Sequence, residues 1–317
     1  MIVYDENELD RELTNSNSQR KIINEPGDST WGQLIIPGKN ENPNKSKKGM
    51  KLLLMASYRT GLLLLQTLIE FEKRYPDRLN IVGLITDDPL SPDARISMKR
   101  RIWRFFNDEE KLNIEDAIIE TALSNGIPCY TGAVKTKYGR GLLKTWNPDA
   151  IEVFVFGQII DSPFINMPKY GIYNYHPADL LNHHGAGPRP YQDLIERNAT
   201  TSKFTIHQLS LELDSGNVLG QSPDIYVKYK NGKLPKDLLI IEDKMMAPMD
   251  FMSILLTRQL ILNKEKGEQG KIETLDFTNY FNADQKKELL KPIISKENSK
   301  ELPGISTYAI NLLNNLW

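Results

Sequence analysis

Residues 150–156 read AIEVFVF and residues 171–177 read GIYNYHP. Both are short, apolar, β-rich runs. Gly157 turns the first, and Pro177, which has no N–H for a sheet ladder, stops the second. In a strand, Asn174 and His176 project to the same face. Paired polar side chains at a strand end suit an α/β sheet, whose ligands bind in the crevice outside the carboxyl ends of its strands.

Working back from these runs, an alternation of strands and helices emerges. Lys51-Leu-Leu-Leu-Met-Ala56 and Leu79-Asn-Ile-Val-Gly-Leu-Ile-Thr86 read as buried strands, and Ile127–Tyr130 as a short one. Helices are expected over 62–74, over 114–125 (closed by Gly126) and over 138–146. This order predicts a parallel, doubly wound sheet with right-handed crossovers. Its crevice would collect Ser57–Thr60, Thr86–Asp88, Gly157–Gln158 and Asn174–Pro177. Residues 50–229 are read as the catalytic domain. Residues 1–49 read as a polar, partly disordered extension, with Trp31–Pro37 as a short strand or docking element and GKNENPNKSKKG as linker. Residues 230–317 read as a mainly helical region, a cover for the domain or a homo-oligomer contact.

Composition bounds the function. The 317 residues are 40% apolar and 26% charged, ordinary for a globular protein. A net charge of −1 gives no support to nucleic acid or an anionic membrane as partner. The single cysteine, Cys129, has no internal disulfide partner, which fits a reducing, cytoplasmic setting. No uninterrupted apolar run reaches membrane-spanning length.

All 4 histidines (His176, His183, His184 and His207) fall between Gly171 and Gln221. Leu211-Glu-Leu-Asp-Ser-Gly216 adds a carboxylate, Asp214, before a glycine turn. An amide, an imidazole and a carboxylate supply what an amine attacking a formyl or acyl carbon needs. The amide and the ring N–H are donors for the oxyanion, and the ring and carboxylate move the protons. His183 and His184, with Asp179 and His176, form a histidine-rich group for which no metal is expected, since adjacent residues point in different directions.

The order Asn-x-His-Pro, a glycine-rich loop, a helix, Thr-x-His and Leu-Asp-Ser-Gly resembles the folate-dependent formyltransferases. The matching segments are Phe154–Ile160, Gly171–Pro177, Gly185–Pro188, Phe204–His207 and Leu213–Gly216 with Gln221. The resemblance implies a Rossmann-like fold and transfer of a formyl group from 10-formyltetrahydrofolate to an amine, without a metal. It places Asn174, His176 and Asp214 as the catalytic set. Phe156, Gly157, Gln158, Ile159, Ile160 and Leu213 become walls of the folate pocket.

The acceptor is expected to be a small amine, such as an amino sugar nucleotide or an amino-acid-like amine. Arg59, His207, Gly185 and Gly187 are the candidates to contact it. The family's purine-synthesis enzyme holds its substrate phosphate on a Gly-Ser-Gly-type loop, where this chain has Ser57-Tyr-Arg-Thr-Gly61. That leaves phosphoribosylglycinamide formylation as an alternative, beside formyltetrahydrofolate hydrolysis and a silent folate-binding scaffold. The basic run Arg95–Arg104 is read as a solvated face, with an anion site as its functional alternative.

Overall fold

The computed structural model describes residues 6–14, 18–25, 32–91, 101–211, 216–268, 270–295 and 300–317. Its helices are α1 (Glu6–Thr14), α2 (Tyr58–Arg74), α3 (Asp108–Ser124), α4 (Lys137–Trp146), α5 (Ser162–Asn166), α6 (Pro190–Glu196), α7 (Leu238–Met246), α8 (Met249–Glu265), α9 (Ala283–Leu289) and α10 (Thr307–Asn314). Its strands are β1 (Lys21–Asn24), β2 (Gln33–Ile36), β3 (Met50–Ala56), β4 (Leu79–Ile85), β5 (Cys129–Tyr130), β6 (Ala150–Phe154), β7 (Ile172–His176), β8 (Thr201–Ser202), β9 (Thr205–Gln208), β10 (Val218–Gln221) and β11 (Ile225–Tyr226).

Among the described residues, one sheet runs β1-β2-β5-β4-β3-β6-β7-β9-β10, and β8 pairs with β11 apart from it. The centre, β5-β4-β3-β6-β7, is parallel, and antiparallel pairs extend it at both edges. The chain winds outward from β3 through β4 to β5, then returns to β6 on the other side of β3 and continues to β7. The carboxyl ends of β3 and β6 therefore flank the topological switch point, where the crevice of such a sheet opens.

Both faces of the sheet are covered. Along β3 the side chains alternate: Leu52, Leu54 and Ala56 join the core with α2, α3 and α8, while Leu53 and Met55 join the core with α4 and α5. That period of two on a strand buried on both sides is why MKLLLMA reads as one unbroken apolar run.

The regions on either side of residues 50–229 both pack against them. Residues 18–25 and 32–49 are not a bare linker. β1 and β2 form a hairpin whose inner strand pairs with β5, and Leu34 is fully buried. Leu9 of α1 packs into the α4 side of the core. Within the segment read as linker, Lys45 reaches the buried carboxylate of Glu72, which also accepts the N–H of Ile81 at 2.8 Å. β2 lies within the stretch read as a short strand or docking element, whereas the four residues of β1 carry too little pattern to be recognised before their partner is known.

The carboxyl-terminal region likewise shares the domain's own core. Met252, Ile254 and Leu255 of α8 bury with Leu64 and Leu68 of α2. The Tyr75 hydroxyl donates to the Leu313 carbonyl at 2.5 Å, and Trp317 packs edge-on against Phe71 and Tyr75. The helical stretch Leu238–Glu265 has the length and apolarity of a membrane span, yet 78% of its apolar window is buried inside the fold.

Candidate active site

The ends of three strands are pinned together by one carboxylate. Asp87, directly after β4 and Thr86, is fully buried. It accepts the backbone N–H of Gly157 and, at 3.1 Å, the amide Nε2 of Gln158, both just beyond β6. Its own N–H donates to the Ser57 hydroxyl beyond β3 at 2.8 Å. The Gln158 amide is fixed further by the Val134 N–H (3.0 Å) and the Gly132 carbonyl (3.1 Å). These bonds set the floor of the crevice.

The backbone is strained at the same place. Tyr58 and Val155, the residues that turn the chain out of the β3 and β6 ends, have φ of +68° and +49°. For an aromatic and a β-branched side chain this left-handed conformation is a genuine outlier. Such strain persists where surrounding structure imposes it, and it concentrates at functional sites. Both residues line a cleft of about 320 Å³.

Asn174 and His176, two apart on β7, enter that cleft from its β7 side. The antiparallel register sets Asn174 directly opposite His207 on β9. Their side chains meet, Asn174 Nδ2 to His207 Nε2, at 3.0 Å. The other ring nitrogen of His207, Nδ1, lies 3.0 Å from the Gln208 carbonyl. A carbonyl only accepts, so Nδ1 carries the proton and Nε2 supplies the lone pair that takes the Asn174 N–H. His176 Nε2 lies 2.7 Å from the Gly185 carbonyl, which by the same reasoning makes Nε2 its N–H and Nδ1 its lone-pair nitrogen in the neutral ring. Gly185 adopts φ of +63°, and a Cβ there would stand 2.7 Å from that of Ala178, so the carbonyl can meet the imidazole only with glycine in place.

The loop between Pro177 and α6 is held from below. The Asp179 carboxylate, close in sequence to His183 and His184, accepts from Asn182 Nδ2 at 2.6 Å and from Gln221 Nε2 at 2.9 Å. Gln221 also donates to the Thr205 hydroxyl, which in turn donates to the Ala178 carbonyl.

The sequence candidates separate into four groups. Asn174, His176, Phe156, Gln158, Ile159, Ile160 and Gly187 line the cleft together. Gly157, His207 and Gly185 act one step behind it, through Asp87, Asn174 and His176. Arg59 is buried away from the cleft lining, with its guanidinium on Glu242 (Nε to Oε1 2.9 Å) and Asp243. Those carboxylates answer the charge that had made Arg59 a candidate for an acceptor anion. Asp214 and Leu213 lie outside the described residues; on their near side, Leu209, Ser210 and Leu211 line the cleft.

Several lining residues had no sequence signal. Glu242 reaches the cleft from α7, in the region read as a tail. Burial pushes its carboxyl up to about 7, against the pull of the Arg59 guanidinium. Arg189 and Tyr191 come from the start of α6, whereas Arg101 and Arg104 belong to the basic run for which an anion site was the functional alternative.

Residues 131–247 match the family model described as formyl transferase. The methionyl-tRNA formyltransferase of Borrelia turicatae is 29% identical over 154 residues, covering 49% of this chain and 44% of that protein. That of Borrelia recurrentis is 28% identical over 198 residues, covering 56% and 58%. The chain thus spans about half the length of the curated relatives it matches. Among solved structures, phosphoribosylglycinamide formyltransferase from Anaplasma phagocytophilum aligns with a TM-score of 0.47 at 16% identity, over 64% of this chain and 83% of that one. The residues that resemble a formyl transferase run from β5's far end through α7, and they include Asn174 and His176.

Proposed function

We propose that the protein transfers a formyl group from 10-formyltetrahydrofolate to the amine of a small molecule. One observation carries the reading: Asn174 and His176 line the same cleft as the apolar side chains of Phe156, Ile159 and Ile160. A flat, fused ring suits that apolar lining, and a formyl oxygen suits the Asn174 amide hydrogen that His207 leaves uncommitted.

In this reading Asn174 is the oxyanion donor. One of its two amide hydrogens is committed to His207, which fixes the orientation of the amide and leaves the second hydrogen as the donor. His176, oriented by the Gly185 carbonyl, handles the proton that the attacking amine gives up. Asp214 is assigned the orienting carboxylate, on the family pattern alone. The acceptor is an amino sugar nucleotide or an amino-acid-like amine.

The test is Asn174→Asp, which swaps a donor for an acceptor at the same size. Loss of turnover with retained donor binding supports the assignment, and undiminished turnover refutes it.

A second acceptor comes from the names of the relatives, the amino group of a methionyl-tRNA. A panel that includes both a charged tRNA and small amines separates the two.

A further inference from the structure

Three arginines line the cleft that holds Asn174 and His176: Arg101, Arg104 and Arg189. Two come from the segment leading into α3 and the third from the residue before α6, so the fold brings them to one cavity from distant parts of the chain. Among the described residues, no carboxylate forms an ion pair with any of them. The carboxylate that does line the cleft, Glu242, is held by Arg59. Among the described residues, the lining is therefore left with three guanidinium groups and no carboxylate paired to them.

Their setting favours a bound anion over free solvation. Arg189 stands between Pro188 and Pro190, both in the lining, which restricts its backbone. Arg104 lies over the Phe105 ring, 4.5 Å from its centroid. Trp103 and Phe106, on either side of that pair, pack edge-on against Tyr58, each at 5.3 Å. The arginine-bearing segment is thereby braced at the β3 end of the crevice, whereas the apolar wall of Phe156, Ile159 and Ile160 follows β6. Guanidinium groups present paired N–H donors that match the oxygens of phosphate and carboxylate.

We propose that Arg101, Arg104 and Arg189 form an anion-binding rim that holds a phosphate group of the amine acceptor while its amine lies at Asn174 and His176. This rests on the formyl-transfer reading and narrows its acceptor to a phosphorylated amine. It also gives the cleft a phosphate site that uses neither Arg59 nor a glycine-rich loop.

The test uses the full chain and inorganic pyrophosphate as probe, titrated by calorimetry without any donor. In parallel, binding of 10-formyltetrahydrofolate is measured with a single glutamate tail and with a polyglutamate tail. Arg101→Gln, Arg104→Gln and Arg189→Gln are made singly and together, and Arg→Lys versions keep the charge without the fork should the triple variant fail to fold. The expected result is that each single Gln substitution weakens pyrophosphate about tenfold, the loss of one charge-assisted pair, while both donors bind as before. No pyrophosphate binding to the unaltered protein overturns the rim. Loss of the polyglutamate preference with pyrophosphate unaffected overturns it too, by assigning the arginines to the donor's carboxylates. Pyrophosphate binding that depends on the arginines, with no donor bound by any form, keeps the anion site and removes formyl transfer instead.

Discussion

Asn174 and His207 face each other across the β7–β9 pair, and the ring nitrogen of one takes an amide hydrogen of the other at 3.0 Å. The Gln208 carbonyl holds the ring in the tautomer that allows this. A histidine behind the cleft thereby fixes the orientation of the asparagine amide.

That relationship gives the first prediction. In His207→Phe the amide loses the partner that fixes it and is free to rotate. Losing one oriented donor costs about 1–3 kcal/mol, so kcat should fall about ten- to a hundredfold with little change in donor KM. Steady-state kinetics at saturating donor check this, and circular dichroism confirms the fold. An unchanged kcat would make His207 a packing residue only.

Arg59 supports a second prediction. Its guanidinium and the Glu242 carboxylate are both almost fully buried. Arg59→Met strands that carboxylate, and breaking a buried pair in this way costs about 3–5 kcal/mol. The double variant Arg59→Met/Glu242→Leu should recover much of that loss, since an apolar pair of similar volume has no charge to desolvate. Urea unfolding of the two variants measures both effects.

Glu152 sets a pH dependence. Its carboxyl is fully buried on β6, where it accepts the Tyr175 hydroxyl at 2.5 Å and the Thr257 hydroxyl at 2.8 Å. Burial pushes it up to about 7 from an ordinary 4.5, against the pull of those two hydroxyls. Between these values the unfolded chain ionises and the folded chain holds its proton. The stability it contributes is therefore full below pH 4.5 and declines as pH rises to about 7, by about 1–3 kcal/mol. Thermal unfolding across that window should show the decline, and Glu152→Gln should make it shallower, leaving the share due to the Glu242 carboxyl, which burial also pushes up to about 7.

The amino-terminal hairpin is the subject of a fourth. Leu34 on β2 is fully buried against the α4 side of the core. Leu34→Ala should destabilise the whole domain by about 2–5 kcal/mol, in a single cooperative transition. A separate early transition, with the rest of the fold unaffected, would show that the hairpin is only docked.

Much of this was legible in the chain. MKLLLMA and AIEVFVF announced buried parallel strands because both faces of such strands are apolar. Asn174 and His176 were legible because a strand's period of two puts them on one face, and Pro177 marks its end. β2 was legible only as a short strand or docking element, and its pairing with β1 was not, since the pair is stabilised by β5 far along the sequence. Nor was the fate of Arg59, whose partner Glu242 lies 183 residues away. An unpaired arginine and a neutralised one look alike until the fold says which carboxylates are near. Arg189 carried no motif at all, and its position depends on the loop that Gly185 and Asp179 shape.

The most direct measurement is release of tetrahydrofolate from 10-formyltetrahydrofolate, followed against a panel of phosphorylated and unphosphorylated amines, a methionyl-tRNA, and a control with no amine. The predicted result is release that requires one phosphorylated small amine and disappears in Asn174→Asp while donor binding remains. Release at the same rate without any amine would make the protein a hydrolase and contradict the account; so would donor binding with no release for any acceptor.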